Sequence, residues 1–339
     1  MSTMTAMENQ TFHALVARKA SDGTCTRAIE ERRVGDLPPG EVLIRVRYSS
    51  LNYKDALSAH GNTGITKHYP HTPGIDAAGV VAASTDPGFQ EGEEVICTGY
   101  DLGMNTDGGM GQYIRVPAAW VVRKPEGLSL LESMRYGTAG FTAVLSVLAL
   151  RDNGVTPESG EVLVSGATGG VGSVAVHLLS QLGYRVCALS GKIEAADYLR
   201  GLGASRVESP KTLLAHPEKL LLSAQWAGAV DTVGGPILAA AVRSVGMDGV
   251  VTCCGNAASE DLPLNVYPFI LRGVHLIGIY AAASSMPRRM RVWRAIAERP
   301  LPKMAELSRM VSLGQVPAEM ENMLAGKSKG RVVVDLQEL

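Results

Sequence analysis

The chain has 339 residues, of which 46% are hydrophobic and 19% are charged, so it is long enough for two globular domains with large cores. Its formal net charge of −1 gives no sign of nucleic-acid or polyanion binding. We therefore expect no nucleic acid as a partner. No apolar run reaches the roughly 18 residues that a membrane span needs, so we expect no membrane as a partner either. The first ten residues lack the basic and apolar parts of a secretory signal, and we interpret residues 1–10 as a disordered tail.

Cysteine usage indicates a reducing compartment. The five cysteines are odd in number and include no C-x-x-C pair, which argues against a disulfide scaffold and against a cysteine-rich zinc lobe. We therefore expect buried, reduced thiols in a cytoplasmic protein.

The segment from residue 11 to about residue 126 consists of short predicted strands separated by turns. EVLIRVR at 41–47 alternates apolar and charged residues, as a half-buried strand does. PHTPGIDAAGVVAA and QYIRVPAAWVVRKP are also strand-like, and glycine and proline punctuate the connections between these runs. The sequence therefore predicts a β-rich, barrel-like first domain.

The pattern changes to alternating strands and helices after residue 129. Residues 130–136 and 139–150 have helical spacing. The strands predicted beyond them are residues 162–165, 185–190, 205–208, 228–233, 249–254 and 274–280. Six strands alternating with helices indicate a parallel, doubly wound sheet that carries helices on both faces. Residues 284–326 are predicted to be mostly helical, and we expect a final strand at 330–336 to return to the first domain.

A glycine-rich turn follows the first of these six strands. The apolar run VLV at 162–164 leads into GATGGVG, and helical spacing resumes at Val174. In this layout glycine permits a sharp turn and a close approach, while backbone N–H groups at the helix start can face a pyrophosphate. A tight turn without a ligand is the alternative. Because a second apolar strand at 185–189 completes a βαβ unit, we predict dinucleotide binding.

The end of the second strand indicates which dinucleotide is bound. NAD sites usually place an acidic residue there to accept hydrogen bonds from the ribose hydroxyls. This chain has Ser190, Gly191 and Lys192 instead, and a hydroxyl and an ammonium can bind a 2′-phosphate that an acid would repel. We therefore expect NADPH rather than NADH, against the alternative that Lys192 only marks an exposed helix start.

Loops at the carboxyl ends of the later strands are the other expected cofactor contacts, because ligands of doubly wound sheets bind at that edge. After the fourth, fifth and sixth strands, the predicted contacts on the nicotinamide side are Thr232–Gly234, Gly255–Asn256 and Tyr280–Ala281. The alternative is that these segments are plain connecting loops. Ile270, which precedes the sixth strand, is predicted from its immediate surroundings to be a core residue.

Residues that could bind a catalytic zinc ion are lacking at the expected places. Such a site needs Cys, His and carboxylate groups that converge. The chain has NYKD at 52–55 where a cysteine would be needed, and PGID at 73–76 rather than Gly-His-Glu. His68 and His71 flank a loop but have no cysteine partner. We therefore predict no metal.

Several motifs together resemble a known family. GATGGVG, SSLNYKDAL, PGIDAAG, GTAGFTA, VDTVGG and GRVVV resemble the zinc-independent, quinone-oxidoreductase-like branch of the medium-chain dehydrogenase/reductase superfamily. NYKDAL, SGK and YPFILRG at 267–273 are more narrowly similar to acryloyl-CoA reductases. The resemblance implies a GroES-like β-rich catalytic domain at 11–130 and 282–339, and a Rossmann domain with a six-stranded parallel sheet at 131–281.

The same resemblance implies a reaction. Acryloyl-CoA reductases use NADPH to reduce the conjugated double bond of acryloyl-CoA to propionyl-CoA, and they commonly form cytoplasmic homodimers. Hydride would reach the β-carbon without a metal, while hydrogen-bond donors stabilise the resulting enolate. An NADPH:quinone or general enone/enal reductase is the principal alternative. An NADPH-binding sensor or structural protein and a zinc alcohol dehydrogenase are the others.

Site residues follow from the resemblance position by position. Tyr53 is the candidate for orienting nicotinamide or substrate, and Asn52 and Asp55 are expected to support it, although Asp55 could equally cap a helix. Enoyl-thioester reductases place a tyrosine in the following loop, but here Tyr69 lies several residues too late, so the proton donor is not assigned. The expected cofactor contacts are Tyr53, Thr168, Gly169, Gly170, Val171, Gly172, Ser190, Gly191, Lys192, Asn256, Ile270 and Ala281.

Two further expectations concern the substrate and a second copy of the chain. The phosphates of a CoA substrate need cations, and a predicted helix carries Arg288, Arg289, Arg291 and Arg294, with a solvated helical face as the alternative reading. We expect a homodimer that extends both sheets through the sixth strand at 274–280.

Overall fold

The chain forms two compact units in the computed structural model, which describes residues 3–337. Unit 1 runs up to Thr138 and adds Ala282–Pro300 and the residues from Met304 onward. Unit 2 is Ala139–Ala281 with Leu301–Lys303. Within residues 3–337, no helix combines the length and the hydropathy that crossing a membrane requires.

The strands lie in both units. In chain order they are β1 (Thr11–Lys19), β2 (Cys25–Arg33), β3 (Val42–Leu51), β4 (Asp76–Ser84), β5 (Glu94–Thr98), β6 (Tyr113–Val116), β7 (Val121–Arg123), β8 (Val162–Ser165), β9 (Val186–Leu189), β10 (Arg206–Glu208), β11 (Trp226–Asp231), β12 (Val245–Cys253), β13 (His275–Gly278), β14 (Ser308–Ser312) and β15 (Arg331–Asp335).

The helices vary from single turns to a long helix with an internal break. They are α1 (Thr3–Ala6), α2 (Tyr53–Ala59), α3 (Leu130–Asp152), α4 (Gly170–Gln181), α5 (Ala196–Gly201), α6 (Pro210–Leu213), α7 (Gly235–Ser244), α8 (Tyr267–Arg272), α9 (Met286–Glu298), α10 (Met304–Leu307) and α11 (Val316–Leu324). Helix α3 is interrupted at Gly137, whose φ is 51° and ψ is −159°.

Unit 1 is built on a seven-stranded sheet in the order β14-β15-β3-β4-β5-β7, with β6 paired to β3. β15 pairs antiparallel with β3, which confirms that the final strand returns to the first domain. β3 differs from the predicted half-buried strand. Val42, Ile44 and Val46 pack in one core, and Leu43 on the opposite side packs in another with Phe12. The first half of β3 is thus covered on both faces.

Unit 2 contains the predicted parallel sheet of six strands, in the order β10-β9-β8-β11-β12-β13. Val162, Leu163 and Val164 are fully buried in β8, as their continuous apolar run predicts. The chain passes from β8 outward to β10 and then returns to β11 beside β8. Because strand order reverses there, the carboxyl ends of β8 and β11 mark the position where doubly wound sheets bind ligands.

One local expectation is wrong, and one strand was missed. Residues 3–10 are not a disordered tail: α1 forms a helical turn, Met4 and Met7 pack against the Phe12 cluster, and the Gly35 N–H donates to the Glu8 carbonyl oxygen at 2.9 Å. The remainder of that predicted tail, residues 1 and 2, lies outside the described residues. Residues 284–326 are mostly helical, as predicted, through α9, α10 and α11, but the prediction missed β14, which pairs in parallel with β15.

Candidate active site

The glycine-rich turn lies between β8 and α4 and is shaped by steric necessity. Gly166 has a φ of 58°, and a Cβ there would overlap the Thr232 hydroxyl oxygen. A Cβ at Gly172 would overlap the Gly166 carbonyl oxygen. Gly169 caps α4 without a side-chain hydrogen bond, so the first N–H groups of a 12-residue helix are left for other acceptors. The turn formed by residues 166–172 therefore fits a pyrophosphate.

A buried carboxylate fixes the ends of β8 and β11 beside this turn. The Ser165 hydroxyl donates to Asp231 Oδ1 at 2.6 Å, and Asp231 Oδ2 accepts the Gly234 N–H at 2.8 Å. Burial raises the pKa of Asp231, while these hydrogen bonds oppose that shift. The sequence reasoning missed both side chains, although Asp231 belongs to the quoted VDTVGG motif.

The loops predicted to follow the later strands pack closely together. The Cys254 N–H donates to the Asp231 carbonyl oxygen at 3.0 Å, and a Cβ at Gly255 would overlap the Thr232 carbonyl oxygen. Asn256 is exposed directly beyond this contact, and Ala281 is buried after β13. Thr232–Gly234 and Gly255–Asn256 thus form one rigid surface at the carboxyl edge of the sheet. Their contact with the cofactor stays a prediction.

The end of β9 has the geometry expected of a phosphate-bearing ribose site. Ser190 is buried, and its hydroxyl oxygen accepts the Lys192 N–H at 3.0 Å, which closes a short turn. A Cβ at Gly191 would meet no atom within 4 Å, so its surface is open to a ligand. No acidic residue stands among residues 190–192. The turn is therefore compatible with a 2′-phosphate, as its composition predicts.

Ile270 is not a core residue, so that expectation is wrong. Its side chain on α8 is 67% exposed, and Val266, Tyr267 and Leu271 beside it are also exposed. We call these four residues the α8 patch. Sequence context could not reveal this, because Pro268 and Phe269 in the same short helix do pack inward.

The predicted catalytic residues lie at the start of α2 in unit 1. Tyr53 begins the helix and is 49% exposed. Asp55 is fully buried, and its carboxylate accepts the Asn52 N–H at 2.7 Å and the Ile75 N–H at 2.9 Å. With both oxygens so engaged, Asp55 caps the helix and positions Asn52 and Tyr53. Burial, followed by the nearby charge of Asp76, raises the pKa of Asp55 to about 7.

A buried polar network holds Asn52 at the start of this helix. Asp76 Oδ2 accepts hydrogen bonds from Ser50 Oγ at 2.5 Å and Asn52 Nδ2 at 2.7 Å. Thr138 donates its N–H and its hydroxyl to the same carboxylate at 2.8 and 2.6 Å. Arg331 donates to Ser50 Oγ at 2.8 Å and to Asn52 Oδ1 at 3.3 Å. We call these five residues the Asp76 network.

The Asp76 network was not predicted from the sequence. PGIDAAG was considered only as a place that lacks zinc ligands, and Arg331 only as part of the final strand. One signal could have identified the network. Asp76 begins β4 and Arg331 begins β15, and both strands were expected to be buried, where a charge is costly. Buried charges need partners, and here both charged residues belong to the same hydrogen-bond network.

Tyr69 and the arginines of α9 have structural contacts. The Tyr69 hydroxyl donates to the Ser58 carbonyl oxygen at 2.7 Å. Arg289 is buried, donates to the Thr98 carbonyl oxygen at 2.8 Å, and its guanidinium lies 4.5 Å from the Tyr100 ring centroid. The four arginines therefore do not form one set: Arg289 is structural, and only the other three are exposed.

Candidate metal ligands do not cluster in the part of the chain that the structure describes. Among residues 3–337, no group of three or more His, Cys, Asp or Glu side chains is arranged to hold a metal ion. His71 is buried beside Asp107, with Nδ1 at 3.8 Å from Oδ1. That the protein needs no metal stays a prediction.

Comparison with known proteins identifies two family models and close relatives. The alcohol dehydrogenase GroES-like domain matches residues 38–126, and the zinc-binding dehydrogenase domain matches residues 170–297. A putative quinone oxidoreductase, YhfP of Bacillus subtilis, is 46% identical over 96% of this chain and 99% of its own. The acrylyl-CoA reductase AcuI of Ruegeria pomeroyi is 42% identical, also over 96% of this chain and 99% of its own.

Solved structures of such relatives contain dinucleotides. Escherichia coli YhdH with bound NADPH has a TM-score of 0.92 and 41% identity, covering 95% of this chain and 99% of that one. Bacillus subtilis yhfP with bound NAD has a TM-score of 0.94 and 45% identity, covering 97% of this chain and 100% of that one. The two relatives thus share the fold described above while holding different dinucleotides.

Proposed function

This chain belongs to the quinone-oxidoreductase-like branch of the medium-chain dehydrogenase/reductase family, and we propose that it reduces the conjugated double bond of acryloyl-CoA with NADPH, giving propionyl-CoA. It is an oxidoreductase of this family. The finer assignment is supported by relatives named acrylyl-CoA reductase and by the NYKDAL and YPFILRG motifs.

The single observation that carries the cofactor proposal is the pair of turns after β8 and β9. Residues 166–172 form a cradle that any side chain at Gly166 or Gly172 would fill, and residues 190–192 offer a hydroxyl and an ammonium without an acid. Bound there, NADPH supplies hydride. Solved relatives with NADP or NADPH support this choice, whereas the NAD-bound relative makes NADH the alternative to test.

The chain's own residues hold and orient the reactants in this proposal. Tyr53, exposed at the first turn of α2, orients the nicotinamide or the substrate. Asn52 and Asp55 fix its backbone through the helix cap, and the Asp76 network fixes Asn52 in turn. Without a metal, hydrogen-bond donors must stabilise negative charge on the thioester oxygen.

The principal alternative is an NADPH:quinone or general enone/enal reductase. It is supported by the relative named quinone oxidoreductase, which is slightly more similar than the named acrylyl-CoA reductases. We further propose a cytoplasmic homodimer in which the α8 patch and the edge strand β13 are covered by a second copy. An edge strand beside exposed apolar side chains is a surface that soluble proteins usually protect.

The test is NADPH oxidation followed at 340 nm with acryloyl-CoA, crotonyl-CoA and a simple quinone in parallel. We expect preference for acryloyl-CoA and for NADPH over NADH. A Tyr53→Phe enzyme with unchanged kinetics and cofactor affinity would remove Tyr53 from the mechanism. Quinone turnover with little thioester activity would move the protein to the alternative class.

A further inference from the structure

Lys54 has no anionic partner although it is half-buried. Among the described residues, the one hydrogen-bond contact of its Nζ is the Met104 sulfur at 4.0 Å, and no carboxylate oxygen lies within 4.0 Å of it. Other half-buried lysines of unit 1 differ. Lys124 pairs with Glu94 at 3.3 Å and also donates to a carbonyl oxygen, and Lys19 donates to the Gly61 carbonyl oxygen at 2.7 Å.

The surroundings of Lys54 are rigid, so its position is defined by the fold. Asp55, the next residue, ties α2 to Ile75 through the buried hydrogen bond described above. Gly103, which precedes Met104, packs so closely on the Gly74 backbone that a Cβ would lie 2.6 Å from its nitrogen. A lysine held by such a scaffold, yet unpaired, contributes little to stability through its charge.

Apart from Tyr53, the other titratable groups near the start of α2 are committed to structural contacts. Asp55 accepts two backbone hydrogen bonds while fully buried. The Tyr69 hydroxyl donates to the Ser58 carbonyl oxygen, and His71 is 3% exposed beside Asp107. Lys54 follows Tyr53, the residue expected to contact the reactants, and its ammonium has no carboxylate or carbonyl partner among the described residues.

We propose that Lys54 is a catalytic residue that gives the proton to the substrate α-carbon. This inference rests on the proposed function. It assigns the proton donor, for which the loop after α2 offers no suitably placed tyrosine.

The step balances as a conjugate reduction. The β-carbon receives hydride, the π electron pair moves to the thioester oxygen, and the resulting enolate then forms a new C–H bond at the α-carbon. The proton in that bond comes from the Lys54 ammonium, which becomes a neutral amine and regains a proton from water. General acid catalysis of this kind is worth roughly 10²–10⁴-fold in rate.

The experiment compares Lys54→Ala and Lys54→Gln with wild type, using Lys67→Met as a matched control. Lys67 is an exposed lysine on a neighbouring loop, where its backbone N–H donates to Asn105 at 3.1 Å. We expect kcat with acryloyl-CoA to fall at least about 100-fold in both Lys54 variants. The KM for acryloyl-CoA and the Kd for NADPH should stay within about threefold of wild type, and Lys67→Met should match wild type.

Chemical rescue distinguishes proton donation by Lys54 from a role of its positive charge alone. Methylammonium carries a transferable proton and should restore turnover to Lys54→Ala in proportion to its concentration, whereas tetramethylammonium should not. Rescue by both ions would overturn the proposal in favour of a purely electrostatic role. Lys54→Gln retaining more than a tenth of kcat would also overturn it, because glutamine donates a hydrogen bond but not a proton.

Two other results have distinct meanings. A raised KM with unchanged kcat would overturn the proposal by showing that Lys54 only anchors the substrate. A wild-type enzyme that fails to reduce acryloyl-CoA under any condition would instead refute the proposed function on which the inference rests. Circular dichroism of each variant confirms that it is folded before kinetics are compared.

Discussion

Gly137 provides the sharpest test of the Asp76 network. In Gly137→Ala the new Cβ would overlap Ser50 Oγ, and it would lie 2.6 Å from Asp76 Oδ2 and 2.7 Å from Arg331 Nη2. These three polar groups would have to separate. All three residues are buried, so the separation leaves charge without a partner in the core.

The expected loss of stability has two parts. The Gly137 backbone, at φ 51° and ψ −159°, is in a region open essentially to glycine, and forcing alanine there costs about 1–3 kcal/mol. Breaking a buried charged network adds about 3–5 kcal/mol. We therefore expect Gly137→Ala to lower the free energy of unfolding of unit 1 by at least ~4 kcal/mol, which is a large part of a typical domain's stability.

The assay is urea unfolding followed by tryptophan fluorescence, since two of the three tryptophans, Trp120 and Trp293, lie in unit 1. Gly92→Ala is the matched control. Gly92 has a φ of 90°, and a Cβ there would meet no atom within 4 Å, so only backbone strain of about 1–2 kcal/mol is expected. If Gly137→Ala does not fold, Ser50→Ala, which removes a hydroxyl without adding an atom, should still cost about 1–3 kcal/mol. Equal losses in Gly137→Ala and Gly92→Ala would refute the reasoning.

Three other predictions follow from the sites. Ser190→Asp places an acid beside the expected 2′-phosphate. In steady-state kinetics it should raise the KM for NADPH by about 10-fold or more relative to the KM for NADH. An unchanged ratio of the two KM values would show that this turn does not determine cofactor choice. Because the folded-state pKa of Asp55 is raised to about 7 from an ordinary value near 4, its stabilising contribution is fully present below about pH 4 and is lost as pH rises toward 7. In urea titrations between pH 4 and 7.5, the free energy of unfolding should therefore fall less with rising pH in Asp55→Asn than in wild type. Parallel pH dependences would contradict the raised pKa of Asp55. Ile270→Lys together with Leu271→Lys should convert a dimer into monomers in light scattering, since these side chains are 67% and 55% exposed in the single chain; a monomeric wild type would exclude the dimer itself.

The parts of the fold that sequence reasoning predicted are those with strong local signals. The apolar run of β8 and the glycines that follow it specify a buried parallel strand and its turn without reference to distant residues. The alternation of six strands with helices predicted a parallel sheet, but the strand order, with β11 returning beside β8, was not predicted. The residues of the two turns that we expect to bind the dinucleotide could therefore be named from the sequence, whereas their contact with a cofactor stays a prediction.

What could not be predicted depends on contacts between distant parts of the chain. Arg331 meets Ser50 across 281 positions, and Arg289 meets Thr98 across 191 positions. No local pattern shows that one arginine of α9 turns inward while its neighbours stay exposed. The packing of Met4 and Met7 is similar, because a short segment without periodicity gives no sign of the core that covers it.

The most direct test of the proposed function is the ratio of kcat/KM for acryloyl-CoA to that for a simple quinone, measured with NADPH and with the product identified by mass spectrometry. We expect propionyl-CoA as the product and a ratio well above one, with much weaker activity when NADH replaces NADPH. A ratio below one, with no propionyl-CoA formed, would contradict the proposal and assign the chain to the quinone reductases of its family.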